Sequence, residues 1–179
     1  KVKKIGYFGS VYSSRGVQLI IELSRLDKKN KYFIYGGSED EISKIKRFNN
    51  KNLIIHSQIS YKDVKKKISE MDILLMPYTS KATFSGNTGN IVEFMSPMKM
   101  FDYLGAGRLI ISSEIKVLKE ILKNNHNSIL IKDYLNVLEW KKKIQMINLN
   151  SSSSIKLRIN AIKTAKKYNW IDRAKKMIY

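Results

Sequence analysis

The stretch best equipped for chemistry is Ser96 to Gly107, SPMKMFDYLGAG. Serine then proline, about two helical turns and a closing glycine pair are the start and stop signals of a short capped helix. Ser96 is its expected N-cap and Pro97 its first helical residue. The leading backbone N–H groups of such a helix lack partners within it, and the positive end of the dipole stands behind them, so this end suits a phosphate. Lys99 adds a mobile positive charge. Asp102 lies four residues past Met98 and three past Lys99, roughly on one face with them. From there its carboxylate can reach a polar group held near the helix start, or pair with Lys99 for roughly a few tenths of a kcal/mol.

Alternating strands and helices surround this segment. Lys4 to Gly9 reads as a short buried strand ending in glycine, Ser10 to Arg15 as a polar loop, and Gly16 opens a helix with Leu19, Ile20, Leu23 and Leu26 at helical spacing. Lys31 to Gly37 and Asn52 to Ile59 are the next strands, separated by a helix over Glu39 to Phe48. A lysine-rich helix, Tyr61 to Met71, has Val64 and Ile68 as its inner stripe. Asp72 then leads into the apolar run ILLMP, stopped by Pro77. Tyr78 to Met95 is a long polar loop, of the kind that is usually functional or disordered. Strands over Arg108 to Ser112 and Ser128 to Ile131 follow, with helices over Ile115 to Leu122 and Leu138 to Ile147. Ser151 to Ser154 is either a mobile hinge or a helix start capped by Ser154, leading into one or two basic helices.

Continuous apolar strands separated by helices indicate a parallel sheet covered on both faces. The expected class is a doubly wound α/β fold of about six strands over 1–150, with a helical segment over 151–179. Ligands of such sheets bind beyond the carboxyl ends of the strands, here at Gly9-Ser10, Gly36-Gly37, Ile59, Pro77-Tyr78 and Ser112-Ser113.

Composition narrows the function classes. A length of 179 residues and 43% hydrophobic content allow one domain with a proper core, and the absence of cysteine excludes disulfides and thiolate metal sites. No apolar run approaches the roughly 20 residues of a membrane span, so a soluble protein of a reducing compartment is expected. A start at Lys1 running straight into an apolar stretch suggests a piece of a longer polypeptide. The net charge of +19 invites nucleic acid or an anionic membrane as partner, but only six of the 34 basic residues are arginine, which planar phosphate recognition favours. Solvated lysine-rich faces are the plainer reading.

In this order and spacing, YFGSVYSSRG, DILLMPY, SPMKMFDYLGAG and NWIDRAKKMIY resemble the C-terminal, nucleotide-sugar-binding domain of retaining glycosyltransferases with the GT-B fold, the family often called glycosyl transferases group 1. The resemblance spans nearly the whole chain. It implies that Gly9, Ser10, Arg15 and Gly16 bind the donor diphosphate; many relatives carry a cation where Ser10 stands, and Lys99 can compensate. It further implies that Asp102 binds the ribose hydroxyls, as the second of two acids separated by seven residues. Phe94 stands where the first belongs, so its neighbour Glu93 is the candidate beside the sugar. Ser57 to Ile59 would face the base, and Ser96, Pro97, Met98 and Lys99 would complete the donor site. Asn87, Thr88 and Asn90 suit either sugar contacts or a turn, and His56 is read as structural. Trp170 belongs to a terminal segment that in relatives braces the N-terminal domain.

The implied activity is sugar transfer from a nucleotide diphosphate sugar, UDP by default, with retention of configuration. Arg15, Lys99 and Glu93 are its catalytic candidates in this chain. No cofactor or metal is expected, there being no Asp-x-Asp pair, and the acceptor would sit on an absent N-terminal domain, leaving this piece able to bind donor without turnover. By analogy the setting is bacterial surface glycan assembly, cytoplasmic or peripheral at the inner membrane face. A dinucleotide oxidoreductase is disfavoured because Gly6 and Gly9 do not form the G-x-G-x-x-G fingerprint. The remaining alternative is a basic module for nucleic acid or anionic lipid, recognisable by a steep salt dependence.

Overall fold

The apolar runs form six strands: Lys4–Phe8 (β1), Lys31–Tyr35 (β2), Leu53–His56 (β3), Ile73–Met76 (β4), Leu109–Ser113 (β5) and Ile129–Ile131 (β6). The computed structural model describes residues 1–11, 16–79 and 98–168. Every neighbouring pair is parallel, in the order β3-β2-β1-β4-β5-β6. The helices are Val17–Leu26 (α1), Glu39–Lys46 (α2), Tyr61–Ser69 (α3), Met98–Gly105 (α4), Lys116–Lys119 (α5), Val137–Met146 (α6) and Ser152–Lys167 (α7). The fold is therefore the doubly wound α/β arrangement expected from the apolar strands.

Alternate strand residues feed two apolar layers. On one face Ile5, Ile34, Ile55, Ile73 and Ile111 pack with Ile20 and Leu23 of α1 and with Trp140 and Ile144 of α6. On the other, Leu74, Met76 and Ile110 pack with Ile68 of α3 and with Met100, Tyr103 and Leu104 of α4. Burying each such side chain contributes about 1.5–3 kcal/mol, so the two layers are the main source of cohesion. In α4 the buried positions follow the helical period, which leaves Lys99 and Asp102 on another face.

At the amino end of the sheet a polar cluster replaces apolar packing. The Tyr32 hydroxyl and Asn30 amide both donate to Asp27 Oδ2 at 2.7 Å, and Asn52 donates to the carbonyls of Ser24 and Asp27. Burial, then the carboxylate's hydrogen bond, pushes the Tyr32 pKa far up.

Several boundaries differ from the expected ones. β1 and β2 end before Gly9, Gly36 and Gly37, whose φ values of 140°, 135° and 86° turn the chain out of the sheet. The segment expected to be helical to Leu122 is helical only over α5, then turns so that Leu122 is buried. The four serines are not a hinge: α7 begins at Ser152 and its cap is Ser151, not Ser154, because the Ser151 hydroxyl accepts the Ser154 N–H while Ser154 itself is buried. α7 lies along α4, with Ile162 against Gly107 and Ala161 buried. Trp170 lies outside the described residues.

Candidate functional site

The chain order reverses direction between β1 and β4, which pair only through Ile5 with Ile73 and Gly6 with Leu74. Past that point the Phe8 N–H donates instead to the Tyr103 hydroxyl of α4, at 2.8 Å. A cleft of about 520 Å³ opens there, beyond the carboxyl ends of β1, β2 and β3 and between the facing sides of α3 and α4. This is the crevice at which open α/β sheets take their ligands.

Three glycines let backbone form one wall. Gly9 N donates to the Tyr35 carbonyl, and a Cβ on Gly36 would stand 2.3 Å from the Gly9 carbonyl oxygen. Gly37 accepts from the Gln58 N–H. Over this wall stands Lys99, whose Nζ lies 4.1 Å from the Tyr7 ring centroid and only 2.6 Å from where a Gly9 Cβ would be. Any side chain at Gly9 would displace the cation.

Asp102 faces the same cleft one helical step further on. Its half-buried carboxylate accepts from the Tyr61 hydroxyl at 3.3 Å, joining α4 to the start of α3. Burial raises its pKa, while the Tyr61 hydrogen bond and the nearby Lys65 charge oppose that shift.

The floor near β2 and β3 is aromatic. Strand register sets Phe8 beside Tyr35 and Tyr35 beside His56. Their rings stack at 4.9 and 4.7 Å, each pair 8° from parallel. Phe8 and Tyr35 line the cleft, and His56, its pKa lowered by burial and then by the Lys67 charge, stacks on Tyr35 outside that lining. Gln58 and Ile59 border it.

Charge sorts the helix ends around the cleft. α2 is closed by a Ser38–Glu41 capping box with Glu39, Asp40 and Glu41 in its first turn, and α3 is capped by Ser60 with Asp63 following. α1 starts at Gly16 without a side-chain cap, and neither α1 nor α4 has an acid in its first turn. An anion is thus favoured toward α1 and α4 and repelled from α2 and α3.

Of the residues singled out from the sequence, Gly9, Ser10, Ile59, Lys99 and Asp102 meet in this cleft. Ser57 and Met98 do not line it, and Met98 is 53% exposed. Gly16 also lies off the cleft lining: a Cβ there would meet the Pro77 carbonyl oxygen at 1.8 Å, so its visible role is close packing of α1 against the end of β4. Arg15, Glu93, Ser96, Pro97, Asn87, Thr88 and Asn90 lie outside the described residues. Gln58, inside the stretch expected to face the base, lines the site too, and so do Phe8, Tyr35, Tyr61 and Tyr103, which the sequence does not single out. Among the described residues no group of three His, Cys, Asp or Glu side chains could hold a metal ion, and no helix is long and apolar enough to cross a membrane.

A parallel sheet with this strand order and a cleft at its switch point defines a Rossmann-like ligand-binding domain. The chain belongs to the glycosyl transferases group 1 family, whose model matches residues 2–147. Among solved structures, Anabaena HepE in complex with UDP-glucose matches with a TM-score of 0.78 and 11% identity, over 99% of this chain and 48% of that one. Sucrose-phosphate synthase from Thermosynechococcus elongatus matches at 0.77 and 14% identity, over 98% and 44%. The C-terminal domain of LpcC, a group 1 family protein from Francisella tularensis, matches at 0.67 and 15%, over 93% and 85%. This chain therefore spans about half the length of the first two, and at these identities the likeness is one of fold. No curated protein matched by sequence.

Proposed function

We propose that this chain is the donor-binding half of a retaining glycosyltransferase and takes a nucleotide diphosphate sugar in the cleft beside α4. The supporting observation is the set of groups that line it: Lys99 over the Gly9 wall, the Asp102–Tyr61 pair, and the Phe8 and Tyr35 rings with Gln58 and Ile59. The cation suits the diphosphate, the carboxylate–phenol pair the ribose and the rings the base. Arg15, Ser96 and Pro97 are assigned to the diphosphate end and Glu93 to the sugar, on the family resemblance. UDP is the first base to test, since HepE was solved with UDP-glucose.

Cleaving the anomeric bond leaves negative charge on the departing diphosphate. A cation held at that position, as Lys99 is over the Gly9 wall, stabilises the transition state more than the ground state. The acceptor, a glycan or lipid-linked sugar of a bacterial surface polysaccharide, is assigned to a partner domain of the same polypeptide, working at the inner face of the membrane. Calorimetric titration with UDP, GDP and ADP tests the donor site: one of them should bind with micromolar-range affinity, and no heat from any would overturn the reading. Sugar transfer by this chain alone would overturn the assignment of the acceptor elsewhere.

A further inference from the structure

We infer that Tyr61 is part of the ribose subsite, acting with Asp102 as a pair of acceptors for the two vicinal ribose hydroxyls; this rests on the donor-site reading above. Tyr61 is 63% exposed, so burial does not dictate where its side chain goes. It nevertheless crosses from the first turn of α3 to α4 and gives its hydroxyl proton to Asp102 Oδ1 at 3.3 Å. Lys65, one turn along α3, places its ammonium over the Tyr61 ring, 4.8 Å from the centroid, and helps hold it there. Both Tyr61 and Asp102 line the cleft.

The proton bookkeeping of this pair suits a diol. A phenol that has donated its proton to a carboxylate keeps lone pairs on its oxygen and turns them outward as an acceptor. The carboxylate keeps its second oxygen. Two acceptors thus stand side by side, and two adjacent hydroxyls are the matching donors: one gives its proton to Asp102, the other to Tyr61. Aspartate is a short side chain, and the phenol extends the acceptor surface out from α4 to a hydroxyl that the carboxylate alone does not reach. Burial raises the Asp102 pKa, and the Tyr61 hydrogen bond and the Lys65 charge, both of which favour the carboxylate, oppose that shift.

A purely structural tie between α3 and α4 would have a different signature, so the test reads hydroxyl discrimination and not affinity alone. Wild type and Tyr61→Phe are titrated with UDP, GDP and ADP and with the 2′,3′-dideoxy form of each. Phenylalanine keeps the ring and its Lys65 contact. The expected result is a loss of about five- to tenfold for the ribonucleotide that binds best, the size of one hydrogen bond, with the dideoxy affinity unchanged. Equal losses for both forms, or no loss for either, would overturn the assignment while leaving the donor site standing. Failure of wild type to bind any of the diphosphates would instead remove the donor site and this subsite with it.

Discussion

The Lys99 ammonium is seated between two tyrosine faces, 4.1 Å from the ring centroid of Tyr7 and 5.1 Å from that of Tyr78. Ring faces attract a cation, so the charge is positioned next to Gly9. Tyr7 is itself anchored, its hydroxyl donating to the Ser10 carbonyl at 2.6 Å.

Replacing this cation separates phosphate binding from nucleoside binding. Lys99→Met should weaken nucleoside diphosphate binding by about tenfold or more, as for a lost charge-assisted hydrogen bond, and flatten its salt dependence. Binding of the bare nucleoside should not change. Titrations at two salt concentrations check both statements.

Asp102→Ala should weaken the nucleoside diphosphate by roughly 1–3 kcal/mol. Unchanged affinity in the folded variant would assign Asp102 to structure.

The pH dependence of the same residue has a defined sign. Burial lifts the folded pKa of Asp102 above the ordinary 3.8, so the folded state holds this proton to higher pH than the unfolded state. Its contribution to stability is full below the ordinary value and is lost as pH rises through the raised one. Asp102→Asn lacks that titration. Its thermal midpoint should gain on wild type across the acid range and hold a constant lead at neutral pH, as followed by melts at a series of pH values.

Two glycines should respond in opposite ways. Gly16→Ala puts a Cβ onto the Pro77 carbonyl at a residue with φ of 75° and should cost roughly 2 kcal/mol or more. Gly105 ends α4 with open space around a built Cβ, so Gly105→Ala should add about 0.5–1 kcal/mol. Urea unfolding of both variants measures the contrast.

The Asp27 cluster lies at the end of the sheet away from the cleft. Asp27→Ala would strand the buried Tyr32 hydroxyl and Asn30 amide, costing roughly 2–4 kcal/mol in urea unfolding. Nucleotide affinity of the folded variant should remain at the wild-type value.

What could be read beforehand was local. Runs such as ILLM are apolar throughout because both faces of β4 are buried, and that alone identifies a parallel sheet. Lys99 and Asp102 were legible because a helix places them on one face whatever surrounds it. Tyr61 was not: it looks like the first residue of a lysine-rich helix, and the carboxylate that gives it meaning is 41 residues away. The Phe8, Tyr35 and His56 stack is likewise a product of strand register. The tight contact of Gly16 with Pro77 is not legible either, since glycine in sequence states a steric need without naming the neighbour. Among four identical serines the cap was decided by which one the core buried, Ser154 being 5% exposed.

The hydrogen bond from the Phe8 N–H to Tyr103 carries a thermodynamic consequence for recognition. Tyr103 is fully buried and directly follows Asp102 in the helix that also carries Lys99, so this contact fixes that helix, and with it both side chains, against β1. That placement is established when the chain folds. A ligand arriving at the crevice meets groups whose rotational freedom has already been surrendered, and more of its contact energy is left to appear as affinity.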